Sequence, residues 1–204
     1  MKKDKIYEFC VYSCIGVTYD DTPQMVISRI IDRAYRDATS HVLRKISNEA
    51  KKTKYRTNAS KDIYKAVCGS IKDYNKWHED LCRKIQQHYP KTSTFSYGIA
   101  QKWVNMTVKY LYLYSIVSNN KNVSGLINDL LLHIDDYHAP IDSYVLKALG
   151  DNESWSKDIK TAKDYIAKRE LIPTNYVESN ELEWEMNTWL NEAKKYRKKK
   201  TYEE

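Results

Sequence analysis

The chain has 204 residues, 42% hydrophobic and 30% charged, and a formal charge of +7. That length buries one good core, as a single domain or as two lobes sharing an interface, and the balance of apolar and charged residues excludes disorder over most of the chain. Five Gly and four Pro are few turn formers for so long a chain. Their scarcity favours long helices over many short strands and predicts an all-α, multi-helix fold.

From the N-terminus, Met1-Lys2-Lys3 begins like a signal peptide, but Glu8 interrupts the apolar stretch and no small-residue cleavage site follows, so a leader is not expected. Residues 6–17 are aromatic and β-branched and read equally as a buried strand or a short helix. Thr22-Pro23 is a helix start, a hydroxyl cap followed by proline at the first helical position. Ile27, Ile31, Ala34, Ala38, Val42, Ile46 and Ala50 then recur on one face of a long helix. The polar, basic stretch Lys51 to Ser60 breaks the pattern and reads as a loop. Ser60 can cap a further helix whose apolar face runs from Ile63 through His78 to Ile85, ending at Tyr89-Pro90.

The central stretch, residues 92–149, carries Ile99, Trp103, Met106, Tyr110, Leu113 and Val117 at helical spacing. A polar loop over 118–123 and a short helix capped by Ser124 follow. Pro140 then leads to Asp142, the natural cap of a helix closed by Gly150. Ser154 can start a helix reaching Lys168, and a last helix begins near Asn180. The possible lobes are 22–90 and 91–193, with a basic, flexible tail over 194–204.

Two residues in the central stretch carry the strongest chemical expectation. Lys102 stands near the start of an otherwise apolar helix, and an amine beside apolar surface favours its neutral, nucleophilic form. Asp142, at a helix start, can stabilise positive charge developing on a bound sugar. Gly98-Ile99-Ala100-Gln101-Lys102 and Ile141-Asp142-Ser143-Tyr144-Val145 together resemble two motifs of the helix-hairpin-helix DNA glycosylase superfamily, which includes endonuclease III and 8-oxoguanine glycosylase. Those motifs are a Gly-Val-Gly-x-Lys hairpin leading into an apolar helix and a later Val/Ile-Asp-x-x-Val.

The resemblance covers about sixty residues. It implies that Lys102 is a Schiff-base nucleophile, that Asp142 supports an oxocarbenium-like state, and that DNA with a modified or damaged base is the substrate. It also implies that Gly98 and Gln101 meet the backbone, and that Trp103 or Tyr144 stacks on an extruded base. The chain departs from the family at Ala100, where the second hairpin glycine would stand, in a longer gap between Lys102 and Asp142, and in lacking the iron–sulphur cysteines.

The same residues have plain structural readings. Lys102 can snorkel from the edge of an amphipathic helix, Asp142 can act only as a cap, and the aromatic residues at helical spacing are mostly core. His78 reads as a satisfied histidine rather than a ligand.

Arg44 to Arg56, which includes Lys51, Lys52 and Lys54, forms one basic cluster and Lys194 to Lys200 another, each suited to DNA or RNA backbone or to plain solvation. A non-catalytic nucleic-acid binder and a protein-interaction module are therefore the rival functions. The cysteines Cys10, Cys14, Cys68 and Cys82 lack tight ligand spacing, so neither a metal nor a cofactor is expected, although a composite cysteine site stays open. Reduced thiols and the absence of a long apolar run fit a cytoplasmic protein that does not enter a membrane.

Overall fold

The computed structural model of the chain describes residues 3–39, 49–91, 93–118, 120–175 and 180–201, with the backbone alone at 3–4, 49–52 and 196–201. Among the described residues there are ten α-helices and no strand, so the fold is all-α. No helix among them is long and apolar enough to cross a membrane.

The helices are arranged around α5 (Tyr97–Val117), which packs against α1 (Lys3–Ile15), α2 (Pro23–Thr39) and α4 (Tyr74–Gln87). Fourteen residues of α5 are buried, from Tyr97 to Tyr114. Coverage on nearly every side accounts for its largely apolar sequence, and its polar residues Gln101, Lys102, Asn105 and Lys109 gather along one side. α2 begins at Pro23 with Thr22 Oγ1 accepting the Met25 N–H at 3.3 Å, and its inward face of Val26, Ile27, Ile30, Ile31, Ala34 and Ala38 is at most 1% exposed. One continuous apolar core runs from Tyr12 to Leu182.

Residues 6–17, open between strand and helix, are helical as far as Ile15, and Tyr12 and Ile15 turn inward together at helical spacing. Several other local expectations are corrected. The basic stretch read as a loop belongs to α3 (Glu49–Val67), so Lys51, Lys52, Lys54 and Arg56 lie on a helix and Ser60 lies within it rather than at its start. Among its described side chains only Ala59, Ile63 and Val67 reach full burial, at 0 to 1% exposed, so the apolar stripe there is too sparse to be read through the charges. The apolar spacing from Ile63 to Ile85 spans a break at 68–73, after which Asp73 caps α4 by accepting the Lys76 N–H at 2.9 Å. Val42, Arg44 and Ile46 lie outside the described residues.

Downstream, Asn120 rather than Ser124 caps α6 (Lys121–Leu126). α7 (Asn128–Leu131) and a short 3-10 turn follow, and Asp142 caps α8 (Ser143–Ala148). Ser154 opens a turn, its N–H donating to Asp158 at 2.7 Å, and α9 (Ala162–Arg169) starts at a Thr161–Asp164 capping box instead. The last helix, α10 (Glu181–Thr201), packs on α8 and runs into the basic segment as far as Thr201.

Candidate active site

Between the 3-10 turn and α8 the chain crosses α5 as a buried segment, residues 137–142, that has no strand to pair with. Its backbone N–H and C=O groups still require partners. Side chains supply them. Gln101 Oε1 accepts the Ile141 N–H at 3.2 Å while Gln101 Nε2 donates to the Ile141 carbonyl at 2.8 Å. One turn further along α5, Asn105 Nδ2 donates to the Ala139 carbonyl at 3.3 Å, as does the Tyr165 hydroxyl, and Glu181 accepts the Ala139 N–H at 3.2 Å. Pro140 has no N–H to satisfy. Gln101 and Asn105 are therefore fully buried bolts between the two motifs.

This clasp brings Lys102 to Asp142 across 40 residues of chain: the lysine Nζ donates to Asp142 Oδ2 at 3.3 Å. The two carboxylate oxygens divide their work, since Oδ1 accepts the N–H groups of Tyr144 and Val145 at 2.9 and 3.2 Å and caps α8. The Lys102 ammonium also stands 4.5 Å from the centre of the Trp155 ring, a cation–π contact. The side chains are 13% and 10% exposed, so the pair lies at the edge of the core. Cavities of about 270, 400, 420 and 440 Å³ elsewhere in the molecule are lined by other side chains, none of them by Lys102 or Asp142.

A second ion pair stands on the same face of α5, two turns on. Lys109 donates to Glu185 of α10 at 2.6 Å, and the carboxylate is almost wholly buried. Burial pushes the Glu185 carboxyl above its ordinary value, and the Asp142 charge adds to this, against Lys109 and Lys102. The centre thus holds two cations and two carboxylates, and where α8 packs on α10 the Tyr144 ring stands 5.2 Å from that of Trp189.

The other expected contact residues are placed differently. Gly98 lies inside the first turn of α5, not in an open hairpin: its N–H donates to the Ile159 carbonyl at 2.8 Å, and a Cβ there would fall 1.8 Å from the Trp155 carbonyl oxygen. The Ile99 N–H is taken by the Ser96 hydroxyl and the Ala100 N–H by the Ser96 carbonyl. Gly98 and Gln101 therefore have no backbone or side-chain donor left for a phosphate in this conformation. Trp103 is 0% exposed, its indole donating to the Ile31 carbonyl at 3.0 Å and packing on Tyr35, so it supports α2 and cannot stack on an external base.

Arg56 pairs with Asp32 at 2.5 Å and stacks over Tyr35, while Lys54 is exposed on α3. The side chains of Lys51 and Lys52 lie outside the described residues. Cys10 and Cys14 are exposed, Cys68 is half-buried and Cys82 buried, and no group of three metal-ligating side chains comes together among the described residues.

Three members of the centre had no sequence reading as site residues. Trp155 and Lys109 carried no signal. Glu185 carried a faint one, an acidic residue three positions after Leu182 and four before Trp189 on the inward face of α10. No protein-family model, no curated protein and no solved structure matches this chain.

Proposed function

We propose that the Lys102–Asp142 pair is the reactive centre of a DNA glycosylase/lyase-like protein that removes a modified or damaged base. The observation that carries this reading is the 3.3 Å approach of the lysine amine to a carboxylate that also caps a helix. It joins the two segments that resemble the helix-hairpin-helix glycosylase motifs.

The chemistry follows from the pair. Asp142 takes a proton from Lys102 and frees the amine lone pair. As the bond from the sugar C1′ to the base breaks, the base leaves with the electron pair of that bond and takes the proton from Asp142, which becomes a carboxylate again as positive charge builds on the sugar. The Asp142 carboxylate opposes this charge, and the Lys102 amine forms the new bond at C1′. Opening of the sugar ring then gives an iminium between Lys102 and C1′, and water regenerates the amine. Trp155 covers the amine, so substrate entry requires its ring to move aside, which also keeps water from the amine until then.

The test is covalent trapping. Borohydride with duplexes carrying a panel of damaged bases is expected to cross-link the wild type and not Lys102→Ala, while Asp142→Asn loses base release. Release of free base is scored separately, so that hydrolysis without a lyase step is also detected. Neither trapping nor base release across the panel overturns the reading.

A second reading has its own observation. Lys54, Lys61 and Lys65 are all exposed on α3 and, at spacings of seven and four, share one face of it. Such a row suits a nucleic-acid backbone without catalysis. It predicts binding that weakens steeply with salt and that loses about one unit of salt slope for each lysine replaced.

A further inference from the structure

Between α2 and α3 a cavity of about 400 Å³ opens to solvent, and neither Lys102 nor Asp142 lines it. α3 lays residues 53, 57, 61 and 65 along it at intervals of four, and α2 faces it with Ser28 and Asp32, also four apart. The short side chains of Ser28, Thr57 and Ser60 leave the space between the two helices unfilled. Its floor is apolar, made by Ile31, which is 1% exposed, and by the half-buried Tyr64.

The charges around this floor are fixed but not matched. Asp32 Oδ1 accepts from Arg56 at 2.5 Å, and the same guanidinium lies 4.9 Å from the centre of the Tyr35 ring, which holds arginine and carboxylate in place. Asp32 Oδ2 has no partner among the described residues, and an ionised carboxylate oxygen can only accept. Lys61 and Lys65 are exposed neighbours on α3, and neither has a carboxylate partner among the described residues.

The lining thus offers apolar surface for a flat body, an acceptor for a donor edge, and two adjacent cations for an anion. A nucleotide joins all three, in the faces of its base, the amino group on the base edge and the phosphate. A fatty acid has the apolar body and the anion but leaves Asp32 Oδ2 beside hydrocarbon. The volume lies within the roughly 300–1,000 Å³ of small-molecule sites.

We propose that this cavity binds a nucleotide whose base carries an exocyclic amino group. The base lies against Ile31 and Tyr64, its amino group donates to Asp32 Oδ2, and its phosphate sits between Lys61 and Lys65. Uracil and thymine present a carbonyl oxygen where cytosine has its amino group, and the carboxylate repels it. The nucleotide is either free or an unpaired member of a strand. The site stands whether or not the Lys102–Asp142 reading does, and it shares Lys61 and Lys65, but not Lys54, with the basic row of α3.

Calorimetric titration of the full chain with dCMP, dUMP and deoxycytidine tests it. dCMP is expected to bind at least about tenfold tighter than dUMP, the scale of one hydrogen bond to a charged acceptor. It is also expected to bind tighter than deoxycytidine, by a margin that vanishes when Lys61→Ala and Lys65→Ala are combined. Asp32→Asn, with a side chain 48% exposed, is expected to erase the preference for cytosine. Thr57→Trp, at an exposed position, fills the cavity and is expected to abolish binding.

An oligothymidylate with one central cytosine, compared with the all-thymine strand, separates the two sources. Preference for the cytosine strand marks an unpaired nucleotide of a strand, and dCMP binding without that preference marks a free one. The proposal is overturned if neither dCMP nor the cytosine strand is preferred over its counterpart, if Asp32→Asn keeps the preference, or if Thr57→Trp leaves binding unchanged. Salt-sensitive strand binding with no base preference would overturn it while leaving the basic-row reading in place.

Discussion

Gln101 satisfies both backbone groups of Ile141, accepting its N–H at 3.2 Å and donating to its carbonyl at 2.8 Å. The neighbouring lysine and aspartate inherit their 3.3 Å separation from that clasp, because Lys102 and Asp142 each stand one residue beyond a clamped one. Replacing Gln101 by Leu keeps the approximate volume but leaves two buried backbone groups unpaired. A loss of about 3 kcal/mol is expected on the scale of unsatisfied buried groups, readable as a lower urea midpoint. A Gln101→Leu protein of unchanged stability would mean that the crossing segment finds its partners elsewhere.

Gly98 bears on the same centre from the other side. Its backbone is helical, so what it provides is not a special φ angle but the absence of a Cβ beneath the Trp155 carbonyl. At 1.8 Å a methyl group cannot be accommodated without moving the 155–159 backbone that bonds to Gly98 and holds Trp155 over Lys102. Gly98→Ala is expected to destabilise the fold by about 2 kcal/mol, in the range for overpacking. Faster amide exchange at 154–159 than in the wild type should accompany it.

These two residues also mark where the sequence was legible and where it was not. α2, α5 and the caps at Thr22 and Asp142 follow from spacing and local chemistry, because a helix face and its first turn are written in consecutive residues. α3 reads as a loop because only three of its described side chains are fully buried, and charged residues on the solvated faces imitate a loop. Gln101 looked like a surface contact because its real partner is a backbone 40 residues away. The same holds for Trp155 and Glu185, which reach the centre only once α8, α9 and α10 have folded back over α5. Pairing of this kind depends on tertiary contact, and single-chain periodicity does not contain it.

The Lys109–Glu185 pair offers a sharper test of how the centre is held. The two side chains are 13% and 2% exposed, so the charges are largely removed from water and depend on each other. Breaking one partner leaves a buried uncompensated charge, with an expected loss of about 3–5 kcal/mol for Lys109→Met or Glu185→Leu alone. The double replacement removes both charges and is expected to lie well above either single variant in stability. Additive losses in a double-mutant cycle would show that the pair is not coupled.

Acid sensitivity should come from the two buried histidines. His78 is pushed down to about 3 by burial, with the Arg169 charge adding to the effect, while an unfolded histidine titrates near 6.5. Between those values the unfolded chain binds a proton that the folded one refuses, so stability falls as pH drops from 6.5 toward 3 and is fully retained above 6.5. By pH 5 the His78 contribution alone amounts to about 2 kcal/mol, and His138, shifted in the same direction by burial, His78 and Arg169, adds to it.

Other shifted groups act in different windows. Asp62, Asp151 and Asp164 are lowered and respond only below the ordinary carboxylate range, while His133 is raised by Asp136 and responds above 6.5. Glu185, raised by burial, runs the other way: its folded state keeps a proton that the unfolded state has lost, so its contribution diminishes as pH rises above 4.5. Urea unfolding of the wild type and of His78→Leu between pH 6.5 and 5 separates these effects. The wild type is expected to lose stability across that interval, and the variant, whatever its absolute stability, to lose roughly half as much. Equal slopes in the two proteins would remove His78 as the source of the acid response.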